Sequence, residues 1–207
     1  MPDIYPGKDA ALRAGGQSSW ANARDATAST DEYINVNKAG TAVRIKRNSG
    51  STLFDVARSF FAFDTSAITV APTSATLKLY GYNNTAVDVG VVKGDASATG
   101  DSSTDFVAAD FDMIDGLVKG SSMAGNVTPY SNEVSTWYTT KYNEFTLNAD
   151  ALADMAALDE FLCVVISTDN DYPNTQPSAG DTDNTGIYFV SDSDATKRPL
   201  ISYTAAL

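Results

Sequence analysis

Ala57-Arg58-Ser59-Phe60-Phe61-Ala62-Phe63-Asp64 is the stretch that decides the fold. It is short and aromatic and holds no Gly or Pro, which is the composition of a strand. After a turn-rich interval comes Ser74-Ala75-Thr76-Leu77-Lys78-Leu79-Tyr80, where Leu77 and Leu79 alternate with Lys78 and Tyr80. Arg198-Pro199-Leu200-Ile201-Ser202-Tyr203-Thr204 closes the chain in the same manner. Working outward, period-two alternation such as Val43 and Ile45 against Arg44 and Lys46 predicts half-buried antiparallel strands. They are expected near 9–14, 33–37, 42–48, 53–63, 74–83, 87–93, 142–147, 160–168, 186–191 and 199–204. Gly, Asn, Asp, Ser and Pro clusters between them, notably Gly94–Thr104 and Asn170–Asn184, read as loops.

One helix is expected, capped by Asn148, with Asp150 in its first turn and Leu152, Met155 and Leu158 on one face. Residues 105–140 resist reading: Phe106, Phe111, Met113, Ile114, Leu117 and Val118 suit a strand or a short helix. About ten strands and few helices predict an all-β chain: a two-sheet antiparallel β-sandwich of jelly-roll type with one short helix. No composition shift divides it, so one domain over 1–207 is expected.

Composition narrows the function. At 207 residues the chain can bury a core without a disulfide or metal staple. Its single cysteine, Cys163, lies in Phe161-Leu162-Cys163-Val164-Val165-Ile166 and reads as an inert core thiol. The net charge is −12, from 26 acidic and 14 basic residues, which argues against nucleic acid as a partner. Only Glu32, Glu133, Glu144 and Glu160 among the acids are glutamates; the rest are Asp, a loop-and-strand preference. Met1-Pro2-Asp3-Ile4-Tyr5-Pro6-Gly7 lacks the features of a secretory leader, and no apolar stretch approaches 18 residues. These features predict a bare domain made in the cytoplasm, with no membrane partner.

Asp9-Ala10-Ala11-Leu12-Arg13-Ala14-Gly15, Arg58-Ser59-Phe60-Phe61-Ala62-Phe63-Asp64-Thr65-Ser66-Ala67-Ile68, the phrase at 74–80 and Arg198-Pro199-Leu200-Ile201-Ser202-Tyr203 follow one another in an order that resembles the DNRLRE-type domains. Those are β-sandwiches similar to carbohydrate-binding modules. The resemblance implies a non-catalytic recognition or structural module. The Trp-Asn pair common in such domains is missing; Ser135-Thr136-Trp137-Tyr138 stands nearest to it.

No histidine is present, so Ser-His and Cys-His catalysis are excluded and no enzymatic activity is expected. Asp181-Thr182-Asp183-Asn184-Thr185-Gly186 fits the start of a calcium loop, with Asp192 at its twelfth position, so Asp181, Asp183 and Asp192 are candidate calcium ligands. Solvated turns are the plainer reading of the same acids. Trp137, Tyr138 and Trp20 are candidate sugar-stacking rings; equally, the tryptophans suit plugs at the ends of a sandwich. Arg58 shares a face with Val56 and Phe60, and a structural pairing with a carboxylate such as Asp64 or Asp192 is expected.

Two functions follow as expectations. One is a virion structural protein: a phage capsid decoration or surface appendage, assembled in the host cytoplasm, placed on the outer surface away from packaged DNA, and partnered by capsid or other virion proteins and by copies of itself, a homotrimer being the natural guess. The other is a carbohydrate-binding module whose partners are surface glycans.

Overall fold

A computed structural model of the chain describes residues 1–50, 52–85, 88–95 and 105–206. Eleven strands appear in order: β1 (Asp3–Ile4), β2 (Pro6–Gln17), β3 (Asp31–Ile34), β4 (Lys38–Arg47), β5 (Phe54–Asp64), β6 (Ser74–Thr85), β7 (Val89–Lys93), β8 (Tyr142–Thr146), β9 (Glu160–Ser167), β10 (Thr182–Tyr188) and β11 (Leu200–Thr204). Helix α1 spans Trp20–Arg24 and α2 spans Ala149–Ala157, with 3-10 turns at Ala108–Asp112 and Ala195–Lys197. The expected all-β, antiparallel, sandwich-like fold with a short helix is what the chain forms.

The strands make one continuous hydrogen-bonded path, β1-β11-β6-β10-β4-β5-β2-β3, with β8 on β6, and β9 and β7 following from β5. Two strands serve as hinges of this path. The first half of β6 pairs with β8 and β11, and its end pairs with β10. The first residues of β5 pair with β4, and Ser59–Asp64 pair with β9. Strands β2, β5, β9 and β7 thereby face β4, β6, β8, β10 and β11 across a shared core. Phe61, Phe63, Cys163 and Val165 meet Val43, Leu77, Leu79, Phe145 and Ile187 there.

A second core lies on the opposite face of β2, β5 and β9. Leu12, Phe60, Leu162, Val164 and Ile166 point into it, under a cover made by Trp20 and Ala23 of α1 and by Phe106, Phe111, Met113, Ile114, Met123 and Val127. This resolves the unreadable segment: much of 105–140 is an irregular lid whose apolar residues follow no period because they fill a sheet face. It also explains the deciding stretch. Every residue of β5 except Asp64 is buried, so burial does not alternate along it, as expected of a strand covered on both faces.

Other expectations shift in detail. Helix α2 forms as expected, the Asn148 side chain accepting from the Ala151 N–H at 3.1 Å. Helix α1 was not expected; Ser19 caps it by accepting from Asn22 N–H. Strand β10 begins at Thr182 and ends at Tyr188, earlier than the expected 186–191. Part of the expected 87–93 strand (Val87) and part of the Gly94–Thr104 loop (96–104) lie outside the described residues.

Candidate functional site

The side chain that organises the second core is Arg58. Its Nε and Nη2 donate to Asp171 Oδ2 and Oδ1 at 2.7 and 2.9 Å. Nη1 donates to the Phe111 carbonyl at 3.0 Å and Nη2 to the Arg24 carbonyl at 2.7 Å. The guanidinium also stacks 4.5 Å from the Phe111 ring. One group from β5 thus ties down the end of α1, the 3-10 turn and the loop after β9. Arg24, also fully buried, adds bonds to Asp25 and to the Asp171 carbonyl. Arg58 does pair with a carboxylate, as expected, but with Asp171 and not with Asp64 or Asp192. Asp64 stands exposed at the strand end, bonded to Ser66, and Asp192 accepts from the Asp194 N–H. Asp171 reaches Arg58 because the loop after β9 folds back over the outer face of β5.

The calcium motif is likewise rearranged. Asp183 lies in β10, opposite Ile45 of β4, and Asp181 immediately precedes the strand, accepting from the Ser178 N–H. The segment is extended: beyond Asp183 the five remaining residues of β10, at roughly 3.3 Å each, run away from this pair before the chain reaches Asp192, where a calcium loop would wrap the three together. A different trio converges. Val89 and Val134 exchange backbone hydrogen bonds, and Thr168 N–H donates to the Asp88 carbonyl. These contacts bring carboxylate oxygens of Asp88, Glu133 and Asp169 within 4.8 Å of one another, the one such group of three among the described residues. Burial and then the charges of Asp169 and Glu133 push the Asp88 carboxyl above its usual range. Asp183 is raised for the same kind of reason, by burial and then by Asp181 and Asp169. Glu133 and Asp169 are exposed and Asp88 is half-buried, so solvent screens much of their mutual repulsion, and their oxygens lie close enough together to share one divalent cation.

The two tryptophans are buried, Trp20 at 7% exposure in the second core and Trp137 at 6% in the sandwich core. Trp20 Nε1 donates to Asn174 at 2.9 Å. They do not share a surface. Tyr138, 45% exposed, is the candidate ring that faces solvent, with the Lys141 ammonium 3.5 Å from its centroid.

The main aromatic surface lies elsewhere and was not anticipated. Tyr80 and Tyr142 are cross-strand partners whose rings meet edge-to-face at 5.4 Å. Tyr188 meets Tyr80 at 5.6 Å and Tyr82 at 5.5 Å, again edge-to-face. Lys38 sits 4.1 Å over Tyr82, and Lys197 5.1 Å over Tyr188. Tyr80 and Tyr142 donate their hydroxyls to the Thr140 and Arg198 carbonyls. The Tyr142 hydroxyl is pushed up to about 12, chiefly by burial. Outward-facing tyrosines at 80 and 82, two apart on β6, were the available signal.

Two other groups look reactive and are structural. Burial raises the Cys163 thiol, so it is no nucleophile near neutral pH. Burial also pushes the Asp9 carboxyl to about 7, although its Oδ2 accepts from the Val190 N–H at 2.7 Å. That bond ties β2 to the chain just after β10. Compared with known proteins, the sequence matches no protein-family model, and no curated protein is significantly similar to it.

Proposed function

We propose that this chain is a non-enzymatic structural protein of a virus particle, a capsid decoration or surface appendage on the outer face that works as a homo-oligomer. The observation that carries the reading is where the side chains went. The central strands β2, β5 and β9 are filled on both faces, and the buried charges Arg58, Arg24 and Asp171 bind the lid to the sheet. The same sheet carries an aromatic surface, Tyr80, Tyr82, Tyr142 and Tyr188, available for contact. Its acidic charge favours the outside of a particle over contact with packaged nucleic acid. The resemblance to DNRLRE-type domains supports the same non-catalytic role. Mass spectrometry of purified particles from the producing culture tests this; absence of the chain from them overturns it.

A second reading, a carbohydrate-binding module, draws on exposed Tyr138 and on the tyrosine surface. A glycan array separates the two, since the structural reading expects no sugar-specific binding. Calcium is proposed as an accessory ion at Asp88, Glu133 and Asp169.

A further inference from the structure

We propose that Lys8 and Glu160 are a covalent modification site: the folded chain joins their side chains in an amide bond, which ties β2 to β9 across β5.

Strand register brings the two together. Lys8 is the cross-strand partner of Ala62, and Ala62 is in turn the partner of Leu162. Glu160 stands two residues from Leu162 along β9, so it lies on the same side of the sheet, that of the second core. The small side chain of Ala62 leaves room for the Lys8 arm to cross β5 and reach it.

The surroundings of Lys8 single it out. It is 7% exposed, its Nζ is closed to water, and among the described residues nothing accepts a hydrogen bond from it. The nearest charge is Glu160 Oε2 at 3.6 Å, and the Phe106 ring lies 5.4 Å away. Lys93, Lys119 and Lys197 meet their carboxylates more closely, at 2.9, 3.1 and 2.9 Å, and on more exposed side chains. A buried ammonium without hydrogen bonds loses more in hydration than a single distant carboxylate returns. A neutral group of similar volume relieves that cost, and an amide between the two side chains is such a group.

The chemistry needs only these two residues. The ammonium gives up two of its three protons to a departing Glu160 oxygen. Nζ attacks Cδ, the C–N bond forms, the C–O bond breaks, and one water leaves. Two reacting groups held almost in contact gain most from proximity, and the fold holds this pair just short of it. Gly7, Ala62, Asp64, Ser66 and Asp159 line a cleft beside the pair, which gives the water a way out. Asp64, the cross-strand partner of Glu160, sets a second carboxylate in that cleft to pass protons.

Intact mass spectrometry of the full purified chain tests this. Most parent molecules are expected to be lighter than their sequence by one water, while Lys8→Arg, which keeps the positive charge, shows its full sequence mass. A tryptic digest locates the bond. Amidated Lys8 resists cleavage, so residues 1–13 are expected to appear joined to residues 142–197. That linked peptide is read from the parent itself, so the answer stands even where the variant does not fold. A parent at its full mass, with a free peptide ending at residue 8, overturns the inference and leaves a plain ion pair. A lost water that persists in Lys8→Arg, or that maps to other residues, overturns it as well. The bond belongs to the fold and to no partner, so either failure leaves the particle reading standing.

Discussion

Replacing Asp171 by Asn removes the counter-charge of a fully buried guanidinium. Arg58 then keeps its bonds to the Phe111 and Arg24 carbonyls but loses the paired contacts at 2.7 and 2.9 Å. Breaking a buried ion pair from one side costs about 3–5 kcal/mol. The asparagine oxygen still accepts one hydrogen bond, so the lower end, about 3 kcal/mol, is expected. Arg58→Met should cost a similar amount, because it strands two buried carbonyls at about 1–3 kcal/mol each. The double variant Arg58→Met/Asp171→Asn should cost less than the sum, with a coupling of about 2 kcal/mol. Urea unfolding measures this; with a slope near ~3 kcal/mol/M, the Asp171→Asn midpoint falls by about 1 M. The tryptophans refine the assay, since Trp20 reports the second core and Trp137 the first. In a Trp137→Phe background, the Asp171→Asn substitution should lower the Trp20 transition. A loss under 1 kcal/mol, or purely additive costs, would refute the claim that Arg58 and Asp171 clamp the lid.

Further outcomes follow from the same geometry. The Asp9 carboxyl is raised from 3.8 to about 7, so the folded state holds its proton longer than the unfolded state. The parent therefore loses stability as pH rises from about 4 to 7, by as much as ~4 kcal/mol, and Asp9→Asn should melt higher than the parent at pH 8 but not at pH 4. An equal difference at both pH values would contradict this. A Cβ at Gly81 would run into the Tyr138 carbonyl, so Gly81→Ala should cost about 2 kcal/mol or more by chemical denaturation. Calcium at ten times its dissociation constant should stabilise the parent by ~1.4 kcal/mol, raising its melting midpoint by a few degrees. The same addition should leave Asp88→Asn/Asp169→Asn unmoved, and an equal rise in both would place the ion elsewhere.

Much of the architecture was legible because strands advertise themselves by period and composition. The phrases at 57–64 and 74–80, and the Asn148 cap of α2, each became the element they predict. What could not be read depends on long-range pairing. Nothing local links Arg58 to Asp171, 113 positions away, and the lid at 105–127 has no period because it serves another element's face. The calcium pattern could not be read further because the same acids suit a turn and the strand after it: Asp181 closes the turn before β10 and Asp183 lies in the strand. The acidic trio joins three distant segments through the Val89–Val134 bridge. The tyrosine surface draws on β6, β8 and β10, and only strand order makes those rings neighbours.

The most direct test of the central claim is cryo-electron microscopy of particles from the producing culture's lysate. The expected result is repeated density on the outer surface that fits this sandwich and its lid, in a symmetric arrangement of several copies. Particles whose density is fully explained without this domain would contradict it.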